Sequence, residues 1–486
     1  MKIGLSPSLV RNSLSGHAWL GLLTGFLMYL ICVSGSLVVF APQLKRWEQP
    51  AATEFESLSP AAAERAYREL LENSPDVSGD ILMMLPREQL PRASLVSRAG
   101  VWALNEDGSR GGAVASPWTN LMVGLHDALH LPSNIGLVVV SAVGALLCGL
   151  IVSGFLAHPR IFRDAFNFRL GGSRHLEQAD IHNRLSVWGA PFHLVIAVTG
   201  AWFGMATLMY TLFGNSFFDG DREVAIQAIH GRAPELEQQV APVDVKRALE
   251  QMRTIAPDAR PIYFNIEGAN SPRQYLLLGA QHDDRLIYVE QYRFDQQGNY
   301  LGNVGYTDGE PGQRAIFSTY RLHFGHFGGL PVMVLYGIFG LALAVVSVSG
   351  INIWLARRRK RDAINLLWSG LVWGTPLAVA VSAATTVLTG TAAVSGFWMP
   401  LLCAAGLARW LGDEERSKAW LQGLTAVALA ALALAHMAVH KTAAFAGVPL
   451  AVNTVALLSA VLFLWLARRS GSRQSRDCRA GLALHR

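Results

Sequence analysis

Eight apolar runs, near residues 16–40, 134–157, 186–213, 329–356, 365–389, 391–408, 419–440 and 446–467, dominate the chain. A helix of about 20 apolar residues crosses the hydrocarbon core of a bilayer, and within lipid only helices and closed barrels satisfy their own backbone. The expected fold class is therefore a polytopic α-helical membrane protein with about eight transmembrane helices. Composition agrees: 51% hydrophobic against 16% charged residues excludes both an ordinary soluble domain and a disordered chain. The first run follows a short basic stretch but is about 24 residues long with no small-x-small cleavage site, so it reads as a retained signal anchor.

Lysine and arginine set the orientation, because loops rich in them stay cytoplasmic. Lys2 and Arg11 precede the first run, and Arg160, Arg163, Arg169, Arg174 and Arg184 follow the second. The basic block from Arg357 to Arg361 follows the fourth run, and Arg468, Arg469, Arg473 and Arg476 follow the last. If the spans alternate, all of these fall on one side and both termini are cytoplasmic. The net charge of +6 restates this bias and gives no case for nucleic acid. Cys32, Cys148 and Cys403 lie inside runs and Cys478 near the end, so neither a disulfide nor a CxxC metal site is implied.

Two polar segments remain, and both fall on the outer side. The expected division is a first span over 11–41, an outer domain over 42–120, a second span over 121–160 and a third over 175–213. A second outer domain covers 214–316, a fourth span 320–360, a four-helix membrane region 362–470 and a cytoplasmic tail 471–486. In the second outer segment "PVDVKRALEQMRTIAP" has helical periodicity, while "ARPIYFNIEG", "RQYLLLGAQ" and "RLIYVEQYRFDQQGNYLGN" alternate like strands with a turn at Gln297-Gly298-Asn299. The first segment repeats the outline: a helix over "SPAAAERAYRELLENSP", then strands near "ILMMLP", "ASLVSR" and "VWALNEDG". Two small α+β domains are expected.

The spans themselves repeat. Val33-Ser34-Gly35, Val152-Ser153-Gly154, Val198-Thr199-Gly200 and Val348-Ser349-Gly350 each occupy the second half of one of the first four runs. His17 and His182 each lie eighteen residues before the glycine of their span, and His130 and His326 each lie twenty-four before theirs. Residues 11–160 and 175–360 therefore read as a tandem repeat of span, outer domain, span, related by an axis along the membrane normal.

That repeat gathers histidines at two levels. His17 and His182 lie at the cytoplasmic ends of related helices and face each other, while His126, His130, His323 and His326 gather at the outer face. Neutral imidazole is a good axial ligand for iron, and helices fix its direction, so two pairs stacked across a bilayer suit two six-coordinate b haems. His193 follows His182 by eleven residues, which returns to nearly the same helix face about 16 Å along, so it is an alternative ligand or a haem neighbour. A zinc site from the four outer histidines is the competing reading. His436 and His440, one turn apart in "AHMAVHK", read as a solvated helix end, and Asp295 with Asn299 as a turn.

The stretches "GHAWLGLLTGFLMYLICVSGSLVVF", "GLHDALHL", "DIHNRLSVWGAPFHLVIAVTGAWF" and "YRLHFGHFGGLP…GIFGLALAVVSVSGINIW" resemble the PepSY-associated transmembrane family, which includes bacterial inner-membrane siderophore ferric reductases. The likeness covers about residues 11–360, and the outer α+β units look like PepSY domains. It implies a four-helix dihaem core in the inner membrane whose periplasmic domains help form the place where a ferric chelate is reduced. Position by position it implies His17 and His182 as ligands of an inner haem, and His126 and His323, through their Leu-His motifs, as ligands of an outer one. His130 and His326 then become neighbours of that haem, and the one-residue difference in spacing is expected to be absorbed at Pro132 and Pro331.

The resulting expectation is a dihaem b-type oxidoreductase that takes electrons from quinol or a cytoplasmic reductase and reduces a periplasmic ferric siderophore, releasing Fe(II). It needs no catalytic acid, base or nucleophile from the protein. Arg321 and Arg314 are candidate contacts for a haem propionate or an anionic substrate. Two rivals stand beside it: a haem-free membrane scaffold whose outer domains regulate a protease or sensor, and a permease for the chelate or metal through the last four spans. Those spans carry almost no intramembrane charge, which argues against an ion route, and no GxGxxG opens a helix there.

Overall fold

The computed structural model describes residues 6–158, 160–164, 166, 174–358 and 360–483. Lys2, Arg169 and Arg359, counted above among the orientation-setting basic residues, lie outside them. Local chemistry fixes the helix starts. Ser6 accepts the Leu9 N–H and Pro7 opens the first turn of α1 (Pro7–Val38), after which α2 (Ala41–Glu48) follows directly. Ser59 and Pro60 start α3 (Pro60–Asn73) in the same way. Strands β1 (Gly79–Met84), β2 (Ala93–Ser97), β3 (Gly100–Leu104) and β4 (Arg110–Ala113) follow, then α4 (Pro117–Ala128), α5 (Ser133–Ala157) and the short α6 (Ile161–Asp164). The second half contains α7 (Arg174–Phe217), α8 (Arg222–His230), α9 (Val245–Ile255), β5 (Ala259–Ala269), β6 (Tyr275–His282), β7 (Glu290–Phe294), β8 (Tyr300–Asn303), α10 (Pro311–Phe324) and α11 (Gly329–Arg357). Four helices close the chain: α12 (Ala363–Thr389), α13 (Ser395–Leu411), α14 (Glu414–His440) and α15 (Gly447–Ala483). Asp362 caps α12 through a reciprocal capping box with Asn365.

Among the described residues seven helices are long and apolar enough to cross a membrane, against the eight expected. The difference is α13, which has 17 residues with Pro400 inside it and so sits at the lower limit of a bilayer-spanning length. Helix α15 runs on to Ala483, into the segment expected to form the tail.

The chain divides into two units, one of Met1–Ala51, Ser116–Gly204 and Val334–Arg486, the other of Ala52–Ala115 and Met205–Met333. The first is all helical. Its outward side chains are apolar, with Trp19, Leu23 and Trp410 each more than two thirds exposed, as suits helices that meet lipid rather than water. Indole and phenol groups tie the last four helices to the earlier ones. Tyr29 donates to the Val372 carbonyl at 2.7 Å, Trp118 to the Ser382 hydroxyl at 3.1 Å and Trp368 to Asn352 at 2.9 Å. Trp47 donates to Asn453 at 2.9 Å, and His436 bonds the Trp47 carbonyl and Asn453. His436 is therefore fully buried inside a polar network, not at a solvated helix end.

In the second unit the strands form one antiparallel sheet in the order β4-β3-β2-β1-β5-β6-β7-β8. The two small domains expected from sequence are thus one body, because β1 pairs with β5 in the register Met83↔Phe264 and Leu82↔Asn265. Helices α3 and α9 share one core with the sheet, built on Tyr67, Ile81, Met83, Met252, Phe264 and Phe294. Glu64 on α3 accepts the Val245 and Lys246 N–H groups at 2.7 and 3.2 Å and so caps α9 across the repeat. Asp295 accepts the Gln297 and Asn299 N–H groups at 2.9 and 2.8 Å, which makes the β7–β8 connection the turn expected.

Candidate functional site in the helical unit

Three histidines of this unit are held alike. His17 on α1 directs Nδ1 to the Leu150 carbonyl at 3.0 Å and the Ser153 hydroxyl at 3.2 Å. His182 on α7 repeats this with the Val346 carbonyl at 3.0 Å and Ser349 at 3.2 Å. His126, near the end of α4, bonds the Ile31 carbonyl through Nδ1 at 2.9 Å. In each case the acceptor lies four residues before the glycine of a Val-Ser-Gly triplet. A carbonyl only accepts, so Nδ1 carries the proton and Nε2 keeps its lone pair. For His17 and His182, Nε2 has no hydrogen-bond partner among the described residues.

The same glycines make room for the rings. A Cβ on Gly154 would stand 3.2 Å from His17 Cε1, one on Gly350 3.3 Å from His182 Cε1, and one on Gly35 2.6 Å from His126 Cε1. The triplets thus act as sockets for histidines on neighbouring helices, in addition to letting helices approach.

His17 and His182 meet, with ring centres 6.1 Å apart and planes at 89°. An imidazole nitrogen sits about 2 Å from a bound metal, so two rings on opposite sides of one metal have centres roughly 6 Å apart. A cavity of about 500 Å³ opens between α1, α5, α7 and α11 and is lined by both rings, by Gly21, Gly25, Gly154 and Gly350, and by apolar side chains such as Met28 and Leu343. That volume is within the range of cofactor sites. Paired lone pairs, glycine walls and an apolar lining are the groups that would hold a flat, largely apolar metal-bearing cofactor.

The other expected site residues fall as follows. His193 lines the same cavity, is 2% exposed and bonds the Phe339 backbone, and its Nε2 is buried without a partner. His130 has both ring nitrogens engaged, Nε2 with the Leu121 carbonyl at 2.7 Å and Nδ1 accepting from the Trp398 indole at 3.0 Å. It braces the end of α4, where Leu129 and His130 both adopt positive φ, a cost of about 1–3 kcal/mol per residue that such bonds offset. His323 and His326 belong to the other unit. There, Arg321 is 5% exposed, and Nε and Nη1 donate to the carbonyls of His326, His282 and Arg285. Arg321 therefore braces the α10–α11 turn, where sequence suggested a propionate or substrate contact. The breaks between α4 and α5 and between α10 and α11 are both four residues long, so the one-residue offset is not absorbed at Pro132 and Pro331 but stays in the short helices. Among the described residues no three His, Cys, Asp or Glu side chains gather into a metal-ion site, which leaves the four-histidine zinc reading without support.

Sequence reasoning missed His158, His175 and Arg357, which line one end of the cavity, and Asn183, which lines it beside His182. His158, His175 and Arg357 lie at or next to helix ends, where hydropathy and repeat spacing give no signal for them.

Helical spans, a small antiparallel sheet body and histidines seated on repeated glycines define a multi-pass membrane protein of tandem-repeat build. The chain belongs to the PepSY-associated transmembrane family, whose description, PepSY-associated TM region, matches residues 14–357. It is 26% identical over 346 residues to an uncharacterized protein of Pseudomonas aeruginosa, a match covering 66% of this chain and 87% of that one.

Proposed function

We propose that the protein is a dihaem b-type oxidoreductase of the bacterial inner membrane that passes electrons from quinol or a cytoplasmic reductase to a periplasmic ferric siderophore, releasing Fe(II). The observation that carries this reading is the His17–His182 pair, with Nδ1 of each ring tied to backbone and the rings 6.1 Å apart over an apolar cavity. A bound haem would supply one-electron chemistry. The chain's own work is to aim two lone pairs, exclude water with apolar walls, and fix the tautomer through the Leu150 and Val346 carbonyls. His126 and His323 are the proposed ligands of the second haem. His126 has the same backbone-tied Nδ1.

A haem-free scaffold offers no reason for repeat-related rings to share one socket design. A dithionite-reduced minus oxidised spectrum with a pyridine haemochrome count tests the proposal directly. About two b haems per chain is the expected result. Protein that stays colourless when haem is supplied during expression would reject the reductase in favour of the scaffold or permease.

A further inference from the structure

Among the described residues the cavity carries an arginine at one end. His158 follows the last residue of α5, His175 lies in the first turn of α7 and Arg357 ends α11, and all three line it. Arg357 Nε donates to His175 Nε2 at 3.2 Å, which draws the ends of α7 and α11 together. Asn183 and Ser186 add amide and hydroxyl groups further in. Toward the opposite end the lining is Met28, Leu147 and Leu343 with Thr24, Ser347 and His193, and among the described residues it includes no arginine or lysine.

The spacing is consistent on two helices. His175 precedes His182 by seven residues and Arg357 follows Gly350, the socket of His182, by seven, in each case about 10 Å along the helix. The cationic end therefore stands one cofactor half-width or so beyond the paired imidazoles on both sides of the cavity. A porphyrin of the b type has a hydrophobic rim on one edge and two carboxylates on the other. Burying a carboxylate against apolar groups is expensive unless it meets a cation or hydrogen-bond donors, so one end of this cavity accepts that edge and the other refuses it.

We infer that Arg357 and His175, with His158 at the same end, form a dicarboxylate-binding subsite that fixes which way round the inner haem sits, its two propionates at the α7 start and α11 end and its apolar rim toward His193. This rests on the haem reading of the cavity. Arg357 is then a positioning residue that also sets potential. Its positive charge offsets the carboxylates beside the iron, so removing it favours the ferric state and lowers the midpoint.

The test is anaerobic redox titration of full-length, detergent-purified protein, following the component that His17→Ala abolishes. Arg357→Ala is expected to shift its one-electron equilibrium about tenfold toward the oxidised form, or about 59 mV, and to weaken haem retention on dilution. Arg357→Lys should recover about half of the shift, since it returns the charge without the fork. Arg361→Ala, in the same basic block but absent from the cavity lining, should leave the midpoint in place. Equal shifts in Arg357→Ala and Arg361→Ala, or none in either, would overturn the subsite and leave Arg357 as an orientation signal. A wild-type protein with no haem would fail the parent reading instead, so the two failures are distinct.

Discussion

At the scale of single residues, the socket glycines make a graded claim. A methyl group on Gly35 meets His126 at 2.6 Å, whereas those on Gly154 and Gly350 meet His17 and His182 at 3.2 and 3.3 Å. Gly35→Ala should therefore displace its ring and cost most of one haem per chain, while Gly154→Ala and Gly350→Ala should keep haem and only shift its absorption or EPR signature. Haem per chain and low-temperature EPR on the three variants check that order. Glu48 supports His126 from the other end of α4, because it accepts the N–H groups of Trp118 and Thr119 at 2.8 and 2.9 Å. Burial pushes its carboxyl above the usual glutamate range, against hydrogen bonds from Thr119 and Trp118 and the charge of Lys45. A raised folded-state value means that the native protein holds this proton more tightly than the unfolded chain. Its contribution is thus present below pH 4.5 and lost as pH rises through the higher folded value. Glu48→Gln should flatten the pH dependence of the melting temperature in the window upward from pH 4.5, and an unchanged slope would show that Glu48 does not titrate there. His17 and His182 were legible in the sequence because repeat spacing places them, and the Leu-His motif pointed to His126 where spacing gave His130. What the sequence did not show is the partner of His130 Nδ1, Trp398, 268 residues away, since nothing local announces it.

At the scale of elements, hydropathy marked the helices well, since periodicity and length carry most of the information for a span. It failed at α13, whose 17 residues are interrupted by Pro400, and at α4 and α10, short helices that a hydropathy reading merges into the following spans. The sheet strands were legible by alternation except β4, where Arg-Gly-Gly-Ala has no pattern to read. The pairing of β1 with β5 was not legible either, because each half presents a complete strand-and-helix unit and the antiparallel join lies between distant segments. The last four helices gain their place through buried polar bonds rather than apolar area alone. Trp398→Phe removes the donor to His130 and leaves a ring nitrogen unsatisfied, a loss of about 1–3 kcal/mol. It should lower the melting temperature while haem per chain stays constant. A haem loss in that variant without destabilisation would make His130 a ligand after all.

At the scale of the whole molecule, the tandem repeat divides the labour. The His17–His182 pair draws its rings from the first helix of each half and its sockets from α5 and α11, so both halves build it together. Neither half supplies the paired rings alone. The proposed second site draws on His126, which sits on none of the inner sockets. Each site should therefore empty without the other. His17→Ala is expected to halve the haem content and leave the remaining haem low-spin, His126→Ala to do the same with a different residual midpoint, and the double variant to be colourless. Pyridine haemochrome counts with redox titration separate these cases. If either single variant lost both haems while the protein still eluted as a folded species, the sites would be coupled during assembly, and the repeat would be one cooperative cofactor unit rather than two independent ones.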